Sequence, residues 1–272
     1  MSYGNIFTDT PDITPVPESS TSTPLPSEED SPEPLNPLPS EDSETLPDKP
    51  DDQLPKVAII IDDLGNSATI NKSINEISVP LTLAILPFRL HTGDAVNYFS
   101  GTNRFELILH MPMEPLSEEE KEENMLMENM SEAQIEAMLD EAFSQMGNSI
   151  LGMNNHKGSF FTSDREKMSI ILNVLKKRNL YFLDSYTSSE SVGYSLAMEI
   201  GVKTTRRHVF LDGQNNEEYI REKLYETVRQ AEEDGYAVAI GHAKENTIKV
   251  LREEEPYLLS RVNFVKTSQV VR

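Results

Sequence analysis

Residues 57–65 read Val-Ala-Ile-Ile-Ile-Asp-Asp-Leu-Gly, an unbroken apolar run that ends in two adjacent carboxylates and a glycine. A run without polar alternation suits a strand covered on both faces, as in a parallel sheet wrapped by helices. Asp62 and Asp63 then stand where such a strand emerges at its carboxyl end, the place where α/β barrels and open sheets carry their chemistry. Two adjacent carboxylates repel, which calls for a cation or a shared proton between them. A plainer alternative is an Asp pair that caps the next helix.

The same arrangement recurs along the chain. LTLAIL (81–86) ends at Pro87, FELIL (105–109) runs into His110, and ILGMNNHKGSFF (150–161) contains His156. Further on, LYFL (180–183) reaches Asp184 and Ser185, TTRRHVFL (204–211) precedes Asp212, and YAVAI (236–240) stops at Gly241-His242. Helices are expected between these runs. Ser131 caps one that carries Ile135, Met138, Leu139 and Phe143 on one face and ends at Gly147; others are expected over 164–178, 192–200 and 216–234. Strands and helices alternating at this spacing predict an α/β fold, a distorted (β/α)7-like barrel of parallel strands wrapped by helices. Such a barrel gathers Asp62, Asp63, His110, His156, Asp184, Asp212 and His242 at one mouth.

Composition bounds where this barrel lies. The first 55 residues hold 12 of the 17 prolines and 13 acidic residues against Lys49 alone, so about half of the formal charge of −22 belongs to them. The expected organisation is therefore a disordered, Pro-rich acidic tail over residues 1–54 and one folded domain over 55–272. A net acidic fold argues against nucleic acid and anionic lipid as partners, since both require a Lys/Arg surface. The chain contains no cysteine. Any metal site must then be built from Asp, Glu and His. No stretch approaches the apolar length of a membrane span, and no signal peptide is legible in Met1–Thr10. The acidic, Met-rich stretch Leu116–Met130 suggests either a mobile flap beside the His110 loop, with Met125, Leu126 and Met127 able to cover a ligand, or a solvated loop.

A hydrolytic metal centre needs about three protein ligands and one open position. Asp63, His110 and His156 supply one carboxylate and two imidazoles, and Glu114 in HMPME stands as a fourth ligand or as the group that orients His110. Each has a duller reading: a core histidine, a turn histidine, a surface charge. Zinc is the ion expected from this donor set, with cobalt, nickel and manganese compatible.

The series IIIDDLG, LAILP, LHMPMEP, GMNNHKGSFFT, FLDSYT and AIGHA resembles the divergent polysaccharide deacetylases, distant relatives of the carbohydrate esterases with a NodB-type deacetylase barrel. The resemblance spans Lys56 to Val265. It implies that Asp62 is the catalytic base and Asp63 a metal ligand. The His-x-x-x-His pair of the relatives stands here as His110-x-x-x-Glu114, so His156 is inferred to replace the missing imidazole with Glu114 remaining near the ion. The relatives' Arg-containing motif has its place taken by NNHKGS, and AIGH resembles the late motif whose histidine, here His242, serves as general acid. Asp184 is implied as the orienting carboxylate, with Ser185 and Asn155 as substrate contacts. The implied activity is removal of acetyl groups from an acetylated sugar or polysaccharide by metal-activated water, in the cell envelope or elsewhere outside the cytoplasm. Two rivals stand beside it: an inactive barrel acting as a glycan-binding or envelope-assembly module, and two-carboxylate glycoside hydrolysis, which leaves the histidines without a purpose.

Overall fold

In the computed structural model, which describes residues 54–272, β1 (Lys56–Leu64) is hydrogen-bonded on one side to β2 (Leu81–Ile85) and on the other to β8 (Tyr236–His242). The tail expected over residues 1–54 lies, apart from Leu54, outside the described residues. From β2 the sheet continues through β3 (Phe105–Met113), β4 (Ile150–Lys157), β5 (Tyr181–Asp184) and β6 (Thr204–Arg206), and beyond β8 it adds β7 (Val209–Phe210). Every ladder is parallel. Helices α1 (Ile70–Asn75), α2 (Thr92–Phe99), α3 (Glu132–Met146), α4 (Arg165–Arg178), α5 (Gly193–Ile200), α6 (Glu217–Asp234) and α7 (Glu245–Leu259) cover the outside. This is the parallel, helix-wrapped (β/α)7-like architecture expected from the alternation.

The stretch 204–211, expected as one strand, is divided. Thr204–Arg206 pairs with β5 and Val209–Phe210 with β8, because Arg207 N donates to Asp184 O while His208 N donates to Val238 O. The chain thus steps from one edge of the sheet to the other. One bent segment spans the seam that regular pairing leaves open, which is why the barrel is distorted.

Side chains sort by parity into two cores. Ala58, Ile60, Ala84, Ile108, Leu183, Val238 and Ile240 fill the barrel interior, whereas Ile59, Ile61, Leu83, Leu107, Met153 and Phe182 pack outward under the helices. Both sets are buried, so the strands show no alternation in sequence. Ser131 caps α3 in a reciprocal capping box with Gln134, and Asp164 caps α4 by accepting from Glu166 N and Lys167 N. The last residues turn under the sheet: β9 (Asn263–Phe264) pairs with the start of β1, and Thr204 and Arg272 exchange backbone hydrogen bonds of 3.0 Å. The C-terminal segment thereby closes the end opposite the strand carboxyl termini.

The insertion after β3 is held to the strand end at Met125 and Leu126, while Glu118, Glu119, Glu120, Glu123, Asn124, Glu128 and Asn129 stand exposed. Leu126 N donates to Pro112 O and Glu114 N to Leu126 O, both at 2.9 Å, and Met125 and Leu126 are buried. Those side chains already fill protein core, so they are not free to cover a ligand.

Candidate metal centre

Parity delivers the first residues to the mouth. Ala58 and Ile60 face inward, so Asp62 does too, and it is 3 % exposed. Simple alternation would turn Asp63 outward. Instead the β1–β2 register shifts between Ile61 and Leu64, and Asp63 takes a φ of 66°, a bulge that swings its carboxylate back over the mouth and returns Leu64 to the outer core. Gly65 follows at φ 101°, where a Cβ would stand 3.0 Å from Leu86 O. On β3, Glu106, Ile108 and His110 share the inward face, and the register pairs His110 with Asn154 and Pro112 with His156. Positive φ at Phe88, Lys157 and Tyr186, each just past a strand or at its last residue, marks the same rim. Such conformations cost about 1–3 kcal/mol each and persist only where surrounding contacts over-determine them.

Three ligand atoms converge here, one each from Asp63, His110 and His156, all within 4.8 Å of one another. Asp63 Oδ1 lies 3.3 Å from His110 Nε2 and 3.0 Å from His156 Nδ1, and the two ring nitrogens are 3.1 Å apart. Asp63 Oδ1 is buried and receives no hydrogen bond from any described residue. A buried anionic oxygen with two imidazole lone pairs beside it fits a cation better than any neutral packing. The tautomer of His110 is set from behind: its Nδ1 donates to Asn154 Oδ1 at 2.8 Å, so the neutral ring turns a lone pair on Nε2 toward the cluster. Asn154 Nδ2 in turn donates to Asp62 Oδ1 at 3.0 Å and to Ser185 Oγ at 3.1 Å. One amide thus fixes both the putting-together of His110 and the carboxylate of Asp62.

His242, at the end of β8, points its Nε2 toward Asp63 Oδ2 at 3.9 Å. Its Nδ1 donates to Asp212 Oδ1 at 2.8 Å, while Asp212 Oδ2 accepts from His242 N and Thr247 Oγ1. The carboxylate that contacts His242 is therefore Asp212 and not Asp184. Asp184 faces the other way and accepts from Tyr186 N, Ser191 Oγ and Tyr194 N, holding the loop into α5. Strand order explains the exchange: Phe210 pairs with Ile240, which sets Asp212 level with His242, whereas Asp184 sits opposite Arg206 on the far side of the seam.

Two further expectations, for Glu114 and Asn155, are corrected. Glu114 does not reach the cluster; its oxygens are taken by Glu128 N at 2.7 Å and Lys121 Nζ at 2.8 Å. Asn155 accepts from Ser185 N and donates to Lys157 O, so it ties β4 to the β5 loop and presents no free donor to a substrate. Ser185 is buried at 5 % exposure and its Oγ accepts from Asn154 Nδ2, which leaves the hydroxyl hydrogen to donate elsewhere. Sequence reading missed Asn154, Glu122 and Arg207. Asn154 was recoverable, since it alternates with His156 on one strand face. Glu122, whose Oε1 lies 3.0 Å from His156 Nε2, and Arg207, which donates to the Ser185 and Tyr186 carbonyls at 2.7 and 2.8 Å, left no local signal.

Burial and charge divide the protons unequally. Burial pushes the Asp62 carboxyl above its ordinary value, against the pull of His110 and His242. Asp63 is driven well below, because contacts with His110 and His156 outweigh its burial. Burial disfavours charge on His242 too, yet the hydrogen bond and charge of Asp212, with Asp63 and Asp62 beyond, raise it above 6.5. Asp212 is correspondingly held at about 2, its burial overcome by His242. The mouth thus carries a carboxyl with raised proton affinity beside an imidazole that favours its charged form.

Comparison with known proteins agrees with this fold. The chain is 32% identical over 216 residues to the uncharacterized protein YibQ of Escherichia coli K12, covering 79% of this chain and 67% of YibQ. It is 34% identical over 197 residues to an uncharacterized protein of Haemophilus influenzae Rd, covering 72% of this chain and 70% of that protein. Among solved structures, the uncharacterized protein ATU2773 of Agrobacterium tumefaciens C58 superposes with a TM-score of 0.75 at 22% identity, over 80% of this chain and 89% of that one. A mutant of BA3943 from Bacillus anthracis, described as a CE4 family pseudoenzyme with restored enzymatic activity, superposes with a TM-score of 0.54 at 11% identity, over 80% of this chain and 68% of that one. The sequence pattern of the divergent polysaccharide deacetylases matches residues 59–271, and the chain belongs to that family.

Proposed function

We propose that the protein is a metal-dependent hydrolase that removes acetyl groups from an acetylated sugar or polysaccharide in the cell envelope. The observation that carries this reading is the convergence of Asp63 Oδ1 with two imidazole nitrogens, all within 4.8 Å of one another, with Asp62 and an Asp212-held His242 alongside. Asp63, His110 and His156 would hold the ion, and zinc suits one carboxylate and two imidazoles. When bound, such an ion polarises the acetyl carbonyl, acidifies water and lowers the proton affinity of a neighbouring carboxylate.

The chain's own residues supply the rest. Asp62, immobilised by Asn154 Nδ2, takes a proton from the attacking water as its oxygen bonds to the acetyl carbon. His242 carries the opposite role: with Nδ1 committed to Asp212, its Nε2–H faces the cluster and donates to the sugar nitrogen or oxygen as the C–N or C–O bond breaks, releasing acetate. Arg207, half buried, sits electrostatically close to both Asp62 and Asp184 and holds the intervening loop in place. No helix among the described residues is long and apolar enough to cross a membrane.

The test is metal content together with acetate release from N-acetylated and O-acetylated oligosaccharides. Expected are one bound divalent ion per chain, acetate release that a chelator abolishes and zinc restores, and neither in His110→Ala. Absence of both metal and acetate release from the wild type sinks the reading. Glu114, standing where the relatives have a second histidine, favours one rival, an inactive glycan-binding barrel. Oligosaccharide binding without acetate release, in metal-loaded protein, would select that rival.

A further inference from the structure

We infer that Glu122, delivered to the mouth by the insertion between β3 and α3, is a positioning residue that holds His156 with Nδ1 turned to the metal, so that seating of the insertion and ion binding are coupled. The inference rests on the metal-centre reading above. His156 meets Asp63 through Nδ1 and Glu122 Oε1 through Nε2, each at 3.0 Å. An imidazole that ligates through Nδ1 carries its proton on Nε2, and an acceptor there fixes both tautomer and ring orientation. Glu122 Oε1 is buried, and His156 Nε2 at 3.0 Å stands closer to it than Lys157 Nζ. Its other oxygen is anchored by Arg89 Nη2, and Lys157 Nζ stands 3.5 Å from Oε1.

Each ligating histidine therefore has a backing acceptor, but of different origin. Asn154, behind His110, lies on the neighbouring strand and comes with the barrel. Glu122 comes with a segment that must dock. The dock is built on Glu114, which accepts from Glu128 N and Lys121 Nζ, and on Lys157 Nζ, which donates to Glu120 O at 2.7 Å. The residue at the place of the missing histidine thus clasps the insertion that supports the substitute histidine. Because coupling is reciprocal, an ion that fixes His156 must also stabilise the docked insertion.

The experiment measures zinc affinity of the full chain by competition with a chromogenic chelator, and amide exchange across residues 116–130 with and without zinc. Glu122→Ala should weaken zinc about 10–100-fold, the usual cost of losing an acceptor behind a ligating histidine. Glu122→Gln keeps size and a carbonyl acceptor and should recover part of the loss. Glu123→Gln, exposed and one residue away, removes the same charge and should bind as wild type. Zinc should slow exchange in the insertion of the wild type and not of Glu122→Ala, and ring ¹⁵N shifts should show the Nε2–H tautomer of His156 in the wild type only. Should Glu122→Ala fail to fold, Glu122→Gln and the wild-type exchange data decide. Equal zinc affinity in wild type and the Glu122 variants, or an insertion indifferent to zinc, overturns the coupling while leaving the metal centre standing. A wild type that takes up no zinc overturns the metal centre and this role with it.

Discussion

The barrel buries polar clusters at both ends, and among the described residues only the one at the mouth gathers three groups able to hold a metal ion. At the floor, Glu106 Oε1 accepts from Tyr181 Oη at 2.6 Å, Ser268 N at 3.0 Å and Thr82 Oγ1 at 3.5 Å, while Thr267 N and Oγ1 meet Thr82. Its Oε2, like Asp63 Oδ1, has no hydrogen-bond partner among the described residues. The difference lies in what surrounds each orphaned oxygen. Around Glu106 stand hydroxyls and backbone amides, which donate but offer a metal little, and the C-terminal segment lies over them. Around Asp63 stand imidazoles with lone pairs, an inward-facing second carboxylate and an opening to solvent, Asp63 itself being 27 % exposed. A buried carboxylate is thus a fastener where its neighbours only donate and a candidate catalyst where they also ligate and titrate.

That contrast can be broken first with His242→Ala. Turnover should fall about 10²–10⁴-fold, or roughly 3–5 kcal/mol of barrier, with metal content unchanged. Loss of the metal instead would make His242 a ligand and leave the acid role to another group. Glu106→Ala tests the floor. It should cost about 1–3 kcal/mol in a denaturant melt, since Tyr181 Oη and Ser268 N lose their acceptor, and should leave metal affinity intact. Weakened metal binding in that variant would show that floor and mouth are one coupled unit.

The smallest effect is conditional on pH. His242 is raised above 6.5 in the folded protein, so its share of stability is complete below 6.5 and is lost as pH rises through the raised value. Asp212 is lowered from 3.8 to about 2, so its share is complete above 3.8 and is lost as pH falls toward 2. The stability gap between wild type and Asp212→Asn should therefore be greatest between these limits, at about 1 kcal/mol, and should narrow on either side. In parallel, the high-pH fall of the turnover profile should move to lower pH in Asp212→Asn. A gap that does not vary with pH would mean Asp212 acts as a cap for His242 N and Thr247 rather than as a counter-ion.

Much of this was legible before any coordinates. An apolar run that ends in a carboxylate or histidine, repeated with helices between, carries both the fold and the end at which chemistry collects, because burial on two faces and the period of a strand are local properties. Asp62, His110, His156 and His242 were found that way. The choice between Asp184 and Asp212 was not open to the same reasoning. Both end a strand, and only strand order and register decide which stands beside His242. Glu114 likewise looked like a ligand by spacing, until the docked insertion claimed both of its oxygens.

What the sequence by itself determined is the set of elements, the parity of each strand and the list of groups that reach the mouth, all consequences of near-neighbour sterics and hydrophobic pattern. The tertiary structure alone decided which of those groups touch. The bulge that turns Asp63 inward, the seam that carries Arg207 between β5 and β8, and the arrival of Glu122 behind His156 each depend on chain segments far apart in sequence. Contacts of that kind are set by register and packing between elements, which no local pattern encodes.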